Sequence, residues 1–173
     1  MSDLMEPIQT AVEEIDVLKE RNTLSHALLH AAASLSQLES ASAILQEVCL
    51  LLSTSSDHIR LAWMIPNNLN AETLKPQFAA GVASEYGYTL IFTPDQAHGP
   101  LRKSIKAWHP VTGNISTDSI FSDVRQRATA NQLLSTVCIP IGKKNSQTES
   151  LIALYADQHD YFENSFYRWE CTR

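Results

Sequence analysis

Hydrophobic and polar positions change their period along this chain, and the changes divide it into three stretches. The first, about Met5 to Gln37, keeps a helical spacing and has no proline after Pro7, which a first turn accommodates. A heptad fits it, with Leu4, Ala11, Leu18, Ser25 and Ala32 at d and Ile8, Ile15, Asn22 and Leu29 at a. Glu14 (g) and Lys19 (e) stand in the g-to-e′ relation that pairs opposite charges across a parallel two-stranded coil. A single Asn at an a position fixes the register of such a coil. The stretch therefore predicts a helix that pairs with a second copy of itself. The alternative is an amphipathic helix packed on its own domain, because Ala11, Asn22 and Ser25 make a weak seam.

The second stretch predicts a helix over about Ser40 to Ser53. Ala41, Ile44, Leu45, Val48, Leu51 and Leu52 recur at three and four and form one apolar stripe, with Cys49 packed beside it. In the third stretch the period falls to two. His58 to Ile65 predicts a strand with Ile59, Leu61 and Trp63 on one face, and 66–71 its turn. Leu74 to Gly81 predicts the returning strand, placed at an edge by Pro76. Tyr88 to Phe92 predicts a further strand. A helix follows, capped by Gly99 with Pro100 in its first turn, turning Leu101, Ile105 and Trp108 inward and Arg102, Lys103 and Lys106 to water. Pro110 stops it, and Val111 to Ile115 predicts a strand. A helix from about Ser122 to Asn131 places Val124 and Ala128 inside. Leu134 to Ile141 and Ser150 to Ala156 are apolar strands joined by a polar loop, a hairpin.

Composition narrows what such a chain does. Its 173 residues, 44% hydrophobic and 18% charged, suit one globular domain plus an extension. A net charge of −6 with no dense Lys/Arg cluster argues against a nucleic-acid partner. Residues 1–7 lack a signal peptide's basic start and apolar stretch, and no apolar run is long enough to span a membrane, so a cytoplasmic location is expected. The three cysteines, Cys49, Cys138 and Cys171, share no metal-type spacing and read as buried or incidental thiols. His26 and His30, one turn apart, read as solvated rather than as metal ligands. No nucleophile–base grouping, phosphate loop or zinc signature stands out, so the chain reads as non-catalytic.

Taken in order, several segments form a familiar series: Arg60 to Met64, Ala79 to Gly81, His98 to Ile105, Pro110–Val111, Asp118 to Ser122, Ser135 to Ile141, and Leu151 to Tyr155 with Phe162 soon after. From about Leu28 to Trp169 the chain resembles a GAF domain, the sensory module attached to many bacterial histidine kinases, diguanylate cyclases and phosphodiesterases. The resemblance implies an α/β (α+β) fold. An antiparallel central sheet would carry the N- and C-terminal helices on one face and a ligand pocket under loops and short helices on the other. It divides the chain into a signalling helix, 1–27, and a GAF domain, 28–170. It also implies a homodimer through the leading helix, a small-molecule ligand and, in a longer protein, a C-terminal effector. The closing helix is short, about Phe162 to Trp169, and no effector sequence follows it. The chain is thus expected to be a piece of a longer signalling protein or a stand-alone sensor.

The pocket implied by the resemblance would draw on Phe78, Tyr88, His98, Leu101, Trp108, Asp118, Phe121 and Ser135. Its cofactor is unknown. The Gly99–Pro100 helix start offers free N–H groups to an anion such as a cyclic nucleotide phosphate. A haem or metal would need an inward histidine, for which His98 and His109 are the candidates. Covalent bilin attachment would need a cysteine beside a histidine, and Cys138 has no such neighbour. The fold's one enzymatic precedent, free methionine sulfoxide reduction, uses cysteines in pocket loops, and none lies between Pro66 and Asn131. A ligand-free dimerisation scaffold is the reading that competes with a sensor.

Overall fold

The computed structural model describes residues 41–66, 69–93, 99–146 and 149–163. The paired helix expected over 1–27, His26, His30, His98, Cys171 and the closing helix beyond Glu163 lie outside them.

The amphipathic stripe forms helix α1, Ala41–Ser53, which leads into strand β1, Ile59–Pro66. Strand β2, Phe78–Ala80, is followed by a short helix α2, Ser84–Tyr88, and then by helix α3, Pro100–Ala107. Strand β3 is Val111–Asn114, and a 3₁₀ turn over Ser119–Phe121 runs into helix α4, Ser122–Ala130. The hairpin of β4, Ser135–Ile141, and β5, Ser150–Ala156, completes the sheet. Its order is β2-β1-β5-β4-β3, with every neighbouring pair antiparallel.

Two apolar layers cover the sheet, and strand alternation assigns each residue to one of them. Ala62 and Met64 of β1, Val137 of β4, and Ile152 and Leu154 of β5 pack with Leu45, Val48, Cys49 and Leu52 of α1 and with Phe162. Leu61, Trp63, Cys138, Leu151, Ala153 and Tyr155 point the other way, toward Leu101, Ile115, Ala128 and Leu133. Register keeps the assignment coherent, since Trp63 faces Ala153, Met64 faces Ile152, and Thr136 faces Tyr155. Burying a large aliphatic or aromatic side chain in this way contributes about 1.5–3 kcal/mol. This is why the central strands read as nearly unbroken apolar runs.

Local rules explain where the expected elements shift. Ile59 packs on the α1 side, not with Leu61 and Trp63, because an irregularity between Ile59 and Leu61 breaks the alternation. The returning strand is confined to Phe78–Ala80 and does take the sheet edge. Pro76 cannot donate to a ladder, and Leu74 instead pairs in isolation with Phe92. Tyr88 ends a helix rather than starting a strand. Gly87 lets that helix lie against the sheet, since a Cβ there would meet Leu61 Cδ1 at 2.8 Å and Ala79 Cβ at 3.3 Å. Helix α3 ends at Ala107. Trp108 then takes the left-handed conformation (φ 56°) and donates its N–H to the Ser104 carbonyl at 2.7 Å, a position more often filled by glycine.

The open edge of β2 is held by side chains from both layers. The Tyr88 hydroxyl accepts from the Ala79 N–H (3.2 Å) and donates to the Ala79 carbonyl (3.3 Å). Gln46 Nε2 of α1 donates to the same carbonyl at 3.0 Å.

Candidate functional site

On the face of the sheet away from α1, the described residues enclose a cavity of about 350 Å³. That is the small end of the range for small-molecule sites. Its floor is built by strand parity. Thr136 and Cys138 of β4 and Tyr155 of β5 line it, whereas the residues between them belong to the other face. The walls come from Tyr86 of α2 and the segment Thr89–Phe92, from the first turn of α3, from Ile115 and Phe121, and from Val124, Arg127 and Ala128 of α4.

Two features fix where these walls meet the sheet. Gly113 of β3 lies beneath the start of α3 and the 3₁₀ turn, where a Cβ would stand 2.8 Å from Pro100 Cγ and 3.0 Å from the Phe121 ring. The turn itself is braced by Asp118, whose carboxylate accepts the Asn114 N–H at 2.8 Å. Arg125 adds two bonds, from Nε to the Ile115 carbonyl (2.9 Å) and from its guanidinium to the Asp118 carbonyl (2.7 Å).

The floor is polar but uncharged. Thr136 donates its hydroxyl to the Leu154 carbonyl at 3.0 Å. Burial pushes the Cys138 thiol up to about 12, with the Thr136 hydroxyl opposing the shift in part. Burial, reinforced by Cys138, also raises the Tyr155 phenol. The buried Trp63 indole lies close enough to favour the Tyr155 phenolate slightly, yet its Nε1 has no partner in hydrogen-bonding geometry among the described residues. Tyr86 is raised by burial as well, against the pull of the nearby Arg127 cation.

Of the residues expected to form the pocket, Leu101 and Phe121 line this cavity. The other described ones fall elsewhere. Phe78 packs on the α1 side, because its register partner is Met64. Tyr88 lies beyond the wall residue Tyr86, bonded to the strand edge. Trp108 packs against the cavity-side core without reaching the cavity. Asp118 is exposed and braces the turn. Ser135 is one residue out of phase with the floor and donates to the Gln158 carbonyl at 2.7 Å, leaving the position to Thr136. His98 is outside the described residues. His109 is exposed and bonded to the Pro110 carbonyl at 2.8 Å.

Arg102, expected in water, is half-buried. Its terminal nitrogens donate to the Glu72 carbonyl (2.7 Å) and approach that of Ala71, while it lines the cavity. Tyr86, Arg127, Thr136, Cys138 and Tyr155 also line it and were not anticipated. The signal for the strand residues was parity: with Val137 toward α1, its neighbours must face the cavity. For Arg127 it was helical spacing, three residues after Val124 and beside Ala128.

No family model and no curated protein matches the sequence. Solved structures do. The GAF domain of A. Aeolicus nlh2 in an inactive state superposes with a TM-score of 0.61 at 16% identity, over 87% of this chain and 88% of that one. The GAF domain of a phosphoenolpyruvate-protein phosphotransferase from Coxiella burnetii gives 0.61 at 10% identity, over 79% and 80%. That of the Acinetobacter phosphoenolpyruvate-protein phosphotransferase gives 0.56 at 11%, over 89% of each chain. With its five-stranded antiparallel sheet and flanking helices, the chain has a GAF-like fold.

Proposed function

We propose that this chain is a non-catalytic regulatory domain that takes a small molecule into the cavity and passes the change to a paired helix. The observation that carries the reading is the cavity itself. It is a space walled mainly by apolar side chains, with Arg102, Asp123 and Arg127 among them, over a neutral polar floor, on the face of the sheet that α1 leaves open. A thiol pushed up to about 12 is a poor nucleophile, so the one cysteine in the lining supports a binding role over a reactive one.

The division into a helix, 1–27, and a domain, 28–170, belongs to this proposal, as do the homodimer through that helix and an effector in a longer protein. The charge balance speaks against a nucleic-acid partner. Among the described residues no helix is long and apolar enough to cross a membrane, in keeping with a cytoplasmic setting. The change has a short route. Tyr86 lines the cavity, Tyr88 on the same helix bonds Ala79, and the Ala79 carbonyl also takes Gln46 of α1. A ligand that favours one position of α2 shifts the population of α1 positions with it.

The test is an absorption spectrum of the purified chain, then a melting-temperature screen against cyclic nucleotides and small metabolites. Chromophore absorption, or a rise in melting temperature that the cavity-filling Ala128→Leu abolishes, is the expected result. A colourless protein with no shift across the panel hands the site to the second reading, a ligand-free scaffold in which Leu101 and Ile115 are simply core. For the helix, Ile15→Asp should give a monomer by light scattering. An unchanged dimer would move the interface elsewhere.

A further inference from the structure

The rim of the cavity differs in charge from the rest of the chain. The protein carries 13 Lys and Arg against 19 Asp and Glu, yet among the described residues the cavity lining holds two arginines, Arg102 and Arg127, and one carboxylate, Asp123. Arg127 forms no salt bridge or side-chain hydrogen bond among the described residues, and Asp123 is engaged by the Ser122 hydroxyl at 3.2 Å. Arg102 is fixed by the Glu72 carbonyl, while its buried Nε has no partner. Both guanidinium groups thus have donors to spare, Arg102 half-buried beside the apolar walls and Arg127 exposed at the mouth.

Resting on the ligand-binding reading, we infer that the cavity takes a small organic anion, a carboxylate carried on an aromatic or branched apolar body. The carboxylate sits toward Arg127 and Arg102, and the body lies among Leu101, Ile115, Phe121 and Val124. An Arg–carboxylate pair gives charge-assisted and often bidentate bonds, which gain strength away from bulk water. An inorganic anion would satisfy the arginines and leave the apolar walls wet. A nucleotide would bury ribose and ring nitrogens against Leu, Ile and Phe, where unpaired polar groups are costly. A cation would meet two positive charges.

The experiment is calorimetric titration of the full chain with phenylacetate, indole-3-acetate and 4-methyl-2-oxopentanoate, each beside its neutral amide, with indole as an uncharged probe. At least one acid is expected to bind about tenfold tighter than its amide. Arg127→Gln should remove that margin, with folding checked by circular dichroism. Added salt should weaken the acid alone in the wild type, which needs no variant. Equal binding of acid and amide, or an acid affinity untouched by both Arg127→Gln and salt, overturns the anion inference and leaves the ligand-binding reading standing. If amides or indole bind and no acid does, the outcome is the same. If no probe binds, the anion inference falls, and the absorption spectrum and melting-temperature screen decide the ligand-binding reading.

Discussion

The two faces of the sheet are built from the same strands and end in opposite states. On the α1 face, Ala62, Met64, Val137, Ile152 and Leu154 meet Val48, Cys49 and Leu52 in a closed apolar layer. On the other face, the more polar Thr136, Cys138 and Tyr155 at alternate positions stop short of the opposing helices and leave a cavity of about 350 Å³. One layer secures the fold. The other forgoes packing that would stabilise it, because a void costs its lining the contacts a solid core would give. The walls around it are fixed in place, by the close approach of Pro100 and Phe121 to Gly113 and by Asp118 and Arg125, which brace the turn.

The sharpest way to break this contrast is truncation on each side. Ile152→Ala, in the closed layer, should lower stability by about 3 kcal/mol in urea unfolding. Ile120→Ala, at the exposed rim of the cavity, should stay within about 0.5 kcal/mol. Equal losses would mean that the cavity face is packed solid in solution.

A second measurement asks whether both faces are dry. Burial raises the thiols of Cys49 and Cys138, one on each face, from 9.0 to about 12. The unfolded chain therefore sheds these protons first as pH rises. Each thiol should remove on the order of 1.4 kcal/mol of stability per pH unit between about 9 and 12, with no effect below that range. Cys49→Ala and Cys138→Ala should each flatten the alkaline slope by one proton. A slope unchanged by Cys138→Ala alone would mean that water in the cavity lets that thiol ionise.

The smallest effect is expected at the link between the faces. Tyr88→Phe should cost about 1 kcal/mol and speed exchange of the Ala79 amide. If its effect and that of Gln46→Ala add without interaction in a double-mutant cycle, the shared carbonyl does not couple the two layers.

The strand order of hydrophobicity made most of the fold legible. Helix α1, strands β1, β4 and β5, and the Gly99–Pro100 helix start all lie within a residue or so of their expected bounds. What the pattern could not supply was phase. The irregularity near Arg60 moved Ile59 to the other layer, and a one-residue choice separated Ser135 from Thr136. Short elements escaped for a related reason. Ser84–Tyr88 is too brief to show a helical period, and its aromatic residues read equally well as strand. Site residues such as Arg102 and Arg127 carry no local signature. Each looks like any solvated helix arginine until α3 and α4 are placed around one space.

One detail of the sheet bears on what the molecule does not do. A strand at the rim of a sheet offers its unpaired N–H and carbonyl groups to any passing chain. In β2 the central residue offers neither freely, since Ala79 is already engaged by a phenol from one layer and an amide from the other. Extending the sheet past β2 with a strand from another molecule would first have to strip these contacts. At this rim, two side chains stand in the way of strand addition.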